Sequence, residues 1–512
     1  MPELNFDVLR RICEFVTDVP DVLHLSSTTR TVHQIAVERR LSMRAVTINS
    51  SLHDLHSYIF PIKKAPRGQY IRAIIIPESS QTPDSLDELK LLIEVFAGAN
   101  GVRTLSLAVP AQPLSLFSRP EVHDAAAALT SLEELSVHGP IDVAVHLLRS
   151  TRSSLRVFRH DTGHVAYSTH RLSIDVALAP QLTSTLEEIE FNLQFFAATA
   201  STPLPSVKSV TLTNVCDLFG PGALLQLCPN LGCTLILATP SRHRVYSDSA
   251  RLQTFRAESQ AVASEAVTWR ALDRMAGLAG VVYALGLALP IRHLTLDVEH
   301  ESNPNWLQTS GIPRVQTILT DCTPTHLALV GIQLCHQGFS ILDDSLFRGD
   351  VSARLTHLVL DATYRNLFAL DFEPDDAEGE PGRSWDVVLD TLLRGLRPLR
   401  LTHIRIIIRC KIYLGRPRST TTHKGARLFD FDRLLSTLPN TLPTLSHIFI
   451  TSTGSATGGV WTTDEWNASR AWRVRPHDST GTPQLEELSA KDGEAAIKEE
   501  EMQATEVRLS SP

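Results

Sequence analysis

Along most of the chain one arrangement of apolar and polar positions keeps returning: apolar-x-x-apolar-x-apolar. Clear copies are Val102, Leu105, Leu107; Leu132, Leu135, Val137; Leu186, Ile189, Phe191; and Val207, Val210, Leu212. Later copies are Ile291, Leu294, Leu296; Leu355, Leu358, Leu360; Leu401, Ile404, Ile406; and Leu445, Ile448, Ile450. Weaker ones run through Ile71 to Ile76, Leu155 to Phe158 and Thr325 to Leu329. The alternation at the end of each copy predicts a strand with one packed face and one wet face. Amphipathic stretches lie between. Ser85-x-x-Glu88 reads as a capping box ahead of Leu86, Leu89, Ile93 and Phe96 on one helical face. A second helix, from Ala223 to Cys228, is stopped by Pro229 before an apolar run resumes at Leu231. Strand, helix, strand at short spacing predicts parallel strands lying side by side.

This pattern resembles the leucine-rich repeat family, whose core is L-x-x-L-x-L with parallel strands on the concave side and helices on the convex side. The resemblance covers about residues 45–450, with an uneven period. Leu105 to Leu135 spans 30 residues and Phe158 to Ile189 spans 31, whereas Leu358 to Ile404 spans 46. The implied fold is α/β, an irregular solenoid with insertions over residues 41–450.

Residues 1–40 follow another rhythm. Leu4, Val8, Leu9, Ile12, Phe15 and Val16 share one face of a helix that Pro20 ends, and Asp21 is an N-cap for a short helix through Val22, Leu23 and Leu25. A third helix runs over Val32, Ile35 and Ala36. Three short helices cannot bury this much apolar surface alone, so a partner face is expected. The arrangement resembles an F-box, and the whole chain is most similar to fungal F-box proteins with degenerate leucine-rich repeats, the substrate receptors of SCF-type ubiquitin ligases. Asn5 stands where that family usually has Pro, and Val32 where an aromatic or Leu is common. The resemblance implies a non-enzymatic receptor. Its N-terminal helices would bind a ubiquitin-ligase adaptor, and through it a cullin scaffold, by apolar contact at Leu4, Val8, Leu9, Ile12, Leu23 and Leu25. The repeats would present a target protein. The competing reading is a repeat-domain scaffold with no ubiquitin link, its first helices serving only as a cap.

Charge changes the picture at the far end. Of the formal net charge of −8 over 512 residues, His477 to Pro512 holds nine acids against three bases, leaving the rest of the chain near neutral. That balance argues against a nucleic-acid-binding surface. Residues 451–478, with Trp461, Trp466 and Trp472, read as a C-terminal cap, and residues 479–512 as a disordered acidic tail. The chain opens on Met1-Pro2-Glu3-Leu4, unlike a secretory signal. Its seven cysteines (Cys13, Cys216, Cys228, Cys233, Cys322, Cys335 and Cys410) include no C-x-x-C pair. A cytoplasmic or nuclear protein is expected. The uncharged run from Met275 to Ile291 is shorter than the roughly 20 residues a membrane span needs, and reads as a buried helix leading into a strand.

No phosphate-binding glycine loop, nucleophile elbow or zinc-protease motif occurs. No catalytic residue, cofactor or metal site is assigned; Cys228 with Cys233, and His160 with His164, are poor ligand spacings. The most informative polar feature is a histidine register. His293, His326, His357, His403 and His447 each stand immediately before the first inward Leu or Ile of a repeat, where earlier repeats have Thr104, Glu134, Val157, Glu188 and Ser209. Strand alternation sends these rings to the wet concave face, as a ladder about 4.8 Å apart if the strands are neighbours, open to a target protein. Crowded imidazoles resist joint protonation, so binding through them should weaken below about pH 6. Two insertions, acidic between Asp371 and Asp386 and basic between Arg409 and Arg427, are further candidate contact loops.

Overall fold

The computed structural model describes residues 6–48, 67–77, 86–109, 119–161, 178–192, 203–213, 215, 219–239, 249–265, 269–298, 311–335, 338–339, 342, 346–347, 349, 351–366, 383–414, 431–458, 462–475 and 483–503. The chain divides into two compact units: Met1–Thr213 with Gln226–Leu231, and Asn214–Leu225 with Gly232–Pro512. Leu4, Ser85, His164, Trp461 and most of the acidic and basic insertions lie outside the described residues.

The first unit opens with three helices, α1 (Phe6–Phe15), α2 (Val19–Ser26) and α3 (Arg30–Met43). The helix α2 starts before Asp21, the N-cap expected from the sequence, which lies instead in its first turn; Pro20 sits in the same turn, where its missing N–H costs nothing. The Thr29 hydroxyl accepts the Val32 N–H at 3.2 Å and caps α3. Cys13, Val22, Val32, Ile35 and Ala36 form the buried seam of this module. The Arg39 guanidinium donates to the Val16 carbonyl at 3.2 Å and ties the end of α1 to α3.

Seven strands follow: β1 (Val46–Thr47), β2 (Ala73–Ile76), β3 (Thr104–Ala108), β4 (Glu134–His138), β5 (Val157–Asp161), β6 (Glu188–Asn192) and β7 (Ser209–Thr213). Each pairs with the next in parallel. Thr104, Glu134, Val157, Glu188 and Ser209 align across the sheet, so the repeat register read from the sequence is the pairing register. The strands alternate: Leu105, Leu107, Leu135 and Val137 are buried, while Thr104, Ser106, Glu134 and Ser136 are half exposed. Burial of each such leucine stabilises the fold by about 1.5–3 kcal/mol. The helix Leu86–Gly98 packs through Leu92, Val95 and Phe96; Leu89 and Ile93, expected on its inner face, are only half-buried.

The second unit contains β8 (Thr234–Leu237), β9 (Leu272–Leu278), β10 (Ile291–Asp297), β11 (His326–Cys335), β12 (Gly338–Phe339), β13 (His357–Asn366), β14 (His403–Leu414), β15 (His447–Gly458), β16 (Thr462–Arg475) and β17 (Gln484–Glu487). The pairings run β8, β9, β10, β11, β13, β14, β15 in parallel. Then β16 turns antiparallel along β15, and β17 antiparallel along β16. The uncharged run from Met275 folds as strand, helix, strand: the end of β9, the wholly buried helix Ala279–Leu285, then β10. Gly286, at φ 64°, supplies the left-handed residue that ends this helix. Among the described residues no helix is long and apolar enough to cross a membrane.

The histidine-bearing strands β10, β11, β13, β14 and β15 differ from those of the first unit in having residues of both faces covered. Leu294 and Leu296 are buried, and so are His293 and Thr295, which alternate with them on the opposite face. The covering element is the C-terminal segment. The expectation of disorder from residue 479 is therefore corrected, because β17 and the helix Ala490–Glu499 lie within that stretch. Ser489 caps the helix, its hydroxyl accepting the Asp492 N–H at 3.2 Å and donating to the Asp492 carboxylate at 2.7 Å. At the other end Glu501 adopts φ 51°, Met502 N–H donates to the Ile497 carbonyl and Glu501 N–H to that of Lys498. These are the paired bonds of a Schellman stop, and they turn Glu500, Glu501 and Met502 back toward the sheet.

Candidate functional site

Two surfaces hold the residues singled out from the sequence. The first is the α1–α2 face. Val8, Ile12 and Leu23 stand in solvent at 46%, 46% and 42% exposure, and Phe15 at 78%. Leu9 and Leu25 are half-buried, so part of their area packs the module itself. Positions 8, 12 and 15 follow the 4-then-3 spacing of a single helical stripe, with Leu23 on the next helix. Phe15 is the most exposed of these side chains and stands outside the contact set expected from the sequence, although the sequence places it on that stripe.

The second surface is the histidine ladder, which forms in the second unit. His293, His326, His357, His403 and His447 pair with one another in register across β10, β11, β13, β14 and β15. Successive ring centroids are 4.2, 3.9, 4.4 and 5.0 Å apart, and the last three pairs lie within 11° of parallel. Each of the last four rings is steered by the hydroxyl residue before it: Thr325, Thr356 and Thr402 lie 2.8–2.9 Å from the following Nδ1, and Ser446 lies 3.2 Å away. The Thr-His pairs of the sequence thus fix ring orientation, and strand spacing fixes ring separation.

The ladder does not face open solvent, which corrects the wet-face expectation. His293 and His403 are each only 8% exposed. The turn after the helix Ala490–Glu499 lies against the rings: Glu501 Oε2 is 2.8 Å from His293 Nε2, and Glu500 Oε2 is 3.2 Å from His357 Nε2 and 3.8 Å from His403 Nε2. Arg274 and Arg292 hold Glu501 at 2.5 and 2.9 Å, and Arg405 donates to the Met502 carbonyl at 2.9 Å. Met502, 1% exposed, packs with Ala328, Val359, Ile407, Phe449 and Ala471, and Leu488, Ala496 and Ile497 close over the same cluster.

A legible signal for this cover lay two residues after each histidine. Alternation puts those positions on the ladder's own face. In the second unit they include Ala328, Val359 and Phe449, against Ser106, Ser136, Arg159, Glu190 and Thr211 on the corresponding face of the first. An apolar second face requires a lid. The Ser489-x-x-Asp492 cap and the apolar positions Leu488, Ala496, Ile497 and Met502 identify which segment supplies it.

Burial decides the electrostatics. It pushes His326 down to about 3, helped by repulsion from His357 and His293, and His403 down to about 4, helped by His357. His357 is lowered by burial, against the pull of Glu500; His293 by burial and then Arg292; His447 by burial and then Arg473. All five rings are lowered, so the ladder is a stack of neutral imidazoles at neutral pH, and His326 and His403 take up protons well below the pH 6 expected for exposed rings. Elsewhere, His160 is buried with Nε2 donating to the Gly139 carbonyl at 3.1 Å, and burial lowers it to about 4. Cys228 is buried, its thiol raised to about 12, whereas Cys233 is exposed. The first unit keeps a wet, charged sheet face, with Arg159 lying 3.6, 3.7 and 3.9 Å from Glu134, Glu188 and Glu190. Comparison with known proteins finds no matching family model and no curated protein of significant similarity.

Proposed function

We propose that the chain is a non-enzymatic, F-box-type substrate receptor with a degenerate leucine-rich-repeat body, working in the cytoplasm or nucleus. The observation that carries this reading is the apolar stripe of Val8, Ile12, Phe15 and Leu23, left in solvent on α1 and α2 while the module's own seam is filled by other residues. Large apolar side chains held in solvent on neighbouring short helices mark an interaction surface, and shielding them supplies affinity without chemistry. The occupant is the adaptor of a ubiquitin ligase, through which a cullin scaffold would be recruited. Parallel strands joined through helices support the repeat part of the reading. The target would contact the charged, uncovered sheet face of the first unit, since the histidine face already carries the C-terminal segment.

Co-purification of the full chain with an SCF adaptor tests this. Val8→Asp with Ile12→Asp should abolish capture and leave the unfolding transition in place, because both side chains are exposed. Capture that survives this double change, or that never occurs with the unaltered chain, would overturn the reading and favour a scaffold whose first helices only cap the repeats.

A further inference from the structure

We propose that His357, His403 and Glu500 form a site for one divalent metal ion of the zinc class, which fastens the C-terminal segment to strands β13 and β14. The three side chains come from two neighbouring strands and from the turn after the last helix, and their ligand atoms lie within 4.8 Å of one another. Two edges of the triangle measure 3.2 and 3.8 Å. Tetrahedral coordination at about 2.0–2.1 Å puts ligand atoms roughly 3.3 Å apart, so small rotations of these side chains close the set. Two imidazoles with one carboxylate is a nitrogen–oxygen donor set suited to zinc, with a fourth position left for water.

Three further observations favour a cation here. The Nδ1 atoms of His357 and His403 lie 2.8 and 2.9 Å from the hydroxyls of Thr356 and Thr402. Those hydroxyls donate to the Thr325 and Thr356 carbonyls at 3.2 and 3.1 Å, so each can accept a hydrogen bond from Nδ1–H, which turns the Nε2 lone pair of each ring toward Glu500. His403 Nε2 also lies 3.0 Å from His447 Nδ1 and 3.3 Å from Ser446 Oγ, contacts that a bound ion would replace. Glu500 is half-buried and, among the described residues, has no guanidinium or ammonium partner, in contrast to Glu501 between Arg274 and Arg292. The apolar cluster around Met502 excludes water from one side, which strengthens the attraction of a carboxylate for a cation. Sequence reading assigned no metal because the third ligand is about a hundred residues beyond the nearer histidine. His447 is not in the set: its Nε2 already faces the Arg473 guanidinium at 3.5 Å.

This inference is independent of adaptor docking, and its test uses zinc alone. Zinc is titrated into the tag-free, metal-stripped full chain, followed by calorimetry and by elemental analysis after desalting. One zinc per chain is expected. Glu500→Ala should weaken binding at least tenfold, and His357→Ala with His403→Ala should remove it. Zinc should also slow proteolysis of the segment beyond Glu487 in the unaltered chain and have no such effect in Glu500→Ala. Failure of the unaltered chain to retain zinc would overturn the proposal. So would zinc binding indifferent to Glu500→Ala, since the rings alone would then be the chelator and no clip would exist. Glu500 is partly exposed, so its variant stays informative even if the double histidine change disturbs folding.

Discussion

Replacing Met502 by Ala probes the docking of the C-terminal segment at its most buried point. Met502 is 1% exposed and fills a cluster built from four strands of the sheet and from β16. Removing a buried Met side chain costs about 2–5 kcal/mol, from lost transfer energy and the cavity left behind. The segment is held at its end by this side chain, by Arg405 on the Met502 carbonyl and by the Glu501 ion pairs, so the loss should fall on local opening rather than global unfolding. At about 3 kcal/mol the undocked fraction rises roughly a hundredfold, since each 1.4 kcal/mol is a factor of ten. Hydrogen exchange reads this directly. Amides of the helix Ala490–Glu499 should exchange about a hundredfold faster in Met502→Ala, while those shared by β13, β14 and β15 keep their protection. Unchanged protection of the helix would refute the claim that it is pinned through Met502. Equal loss across the strands would refute the claim that its opening is local.

Other outcomes follow from the same packing. His160, buried and lowered to about 4 from 6.5, is neutral in the fold and charged in the unfolded chain between those values. The unfolded state binds the extra proton there, so stability should fall as pH drops from about 6.5 to 4, by about 3 kcal/mol, and denaturant midpoints of His160→Gln should lose that slope. A Cβ at Gly454 would run into the Trp466 ring, so Gly454→Ala should lower the melting temperature, by an overpacking cost of about 1–3 kcal/mol. Alkylation of the native protein should label exposed Cys233 and spare Cys228, Cys322 and Cys410, read by peptide mass mapping; equal labelling would contradict their burial.

Strand positions and their pairing register were readable because period-two alternation survives even where repeat length varies. The five histidines aligned for that reason alone. Their surroundings were not readable from the same signal, because register says which face a ring takes and not what covers that face. The acidic count of the tail suggested a solvated chain, yet Glu500 and Glu501 are the residues placed against the ladder, and Leu488, Ala496, Ile497 and Met502 hold them there. Net charge averaged over a segment hid an amphipathic helix with caps at both ends. The exposed stripe on α1 was half legible: helical periodicity grouped Val8, Ile12 and Phe15, but only the packing of α1 and α2 against α3 separates them from half-buried Leu9 and Leu25.

Side-chain footprinting of the full chain with and without the adaptor tests the docking face most directly. Phe15, Ile12, Val8 and Leu23 should be modified rapidly in the free chain, as their exposure requires, and should be protected on addition of the adaptor. Protection of Phe15 and Ile12 already present in the free chain, or modification unaffected by saturating adaptor, would contradict it.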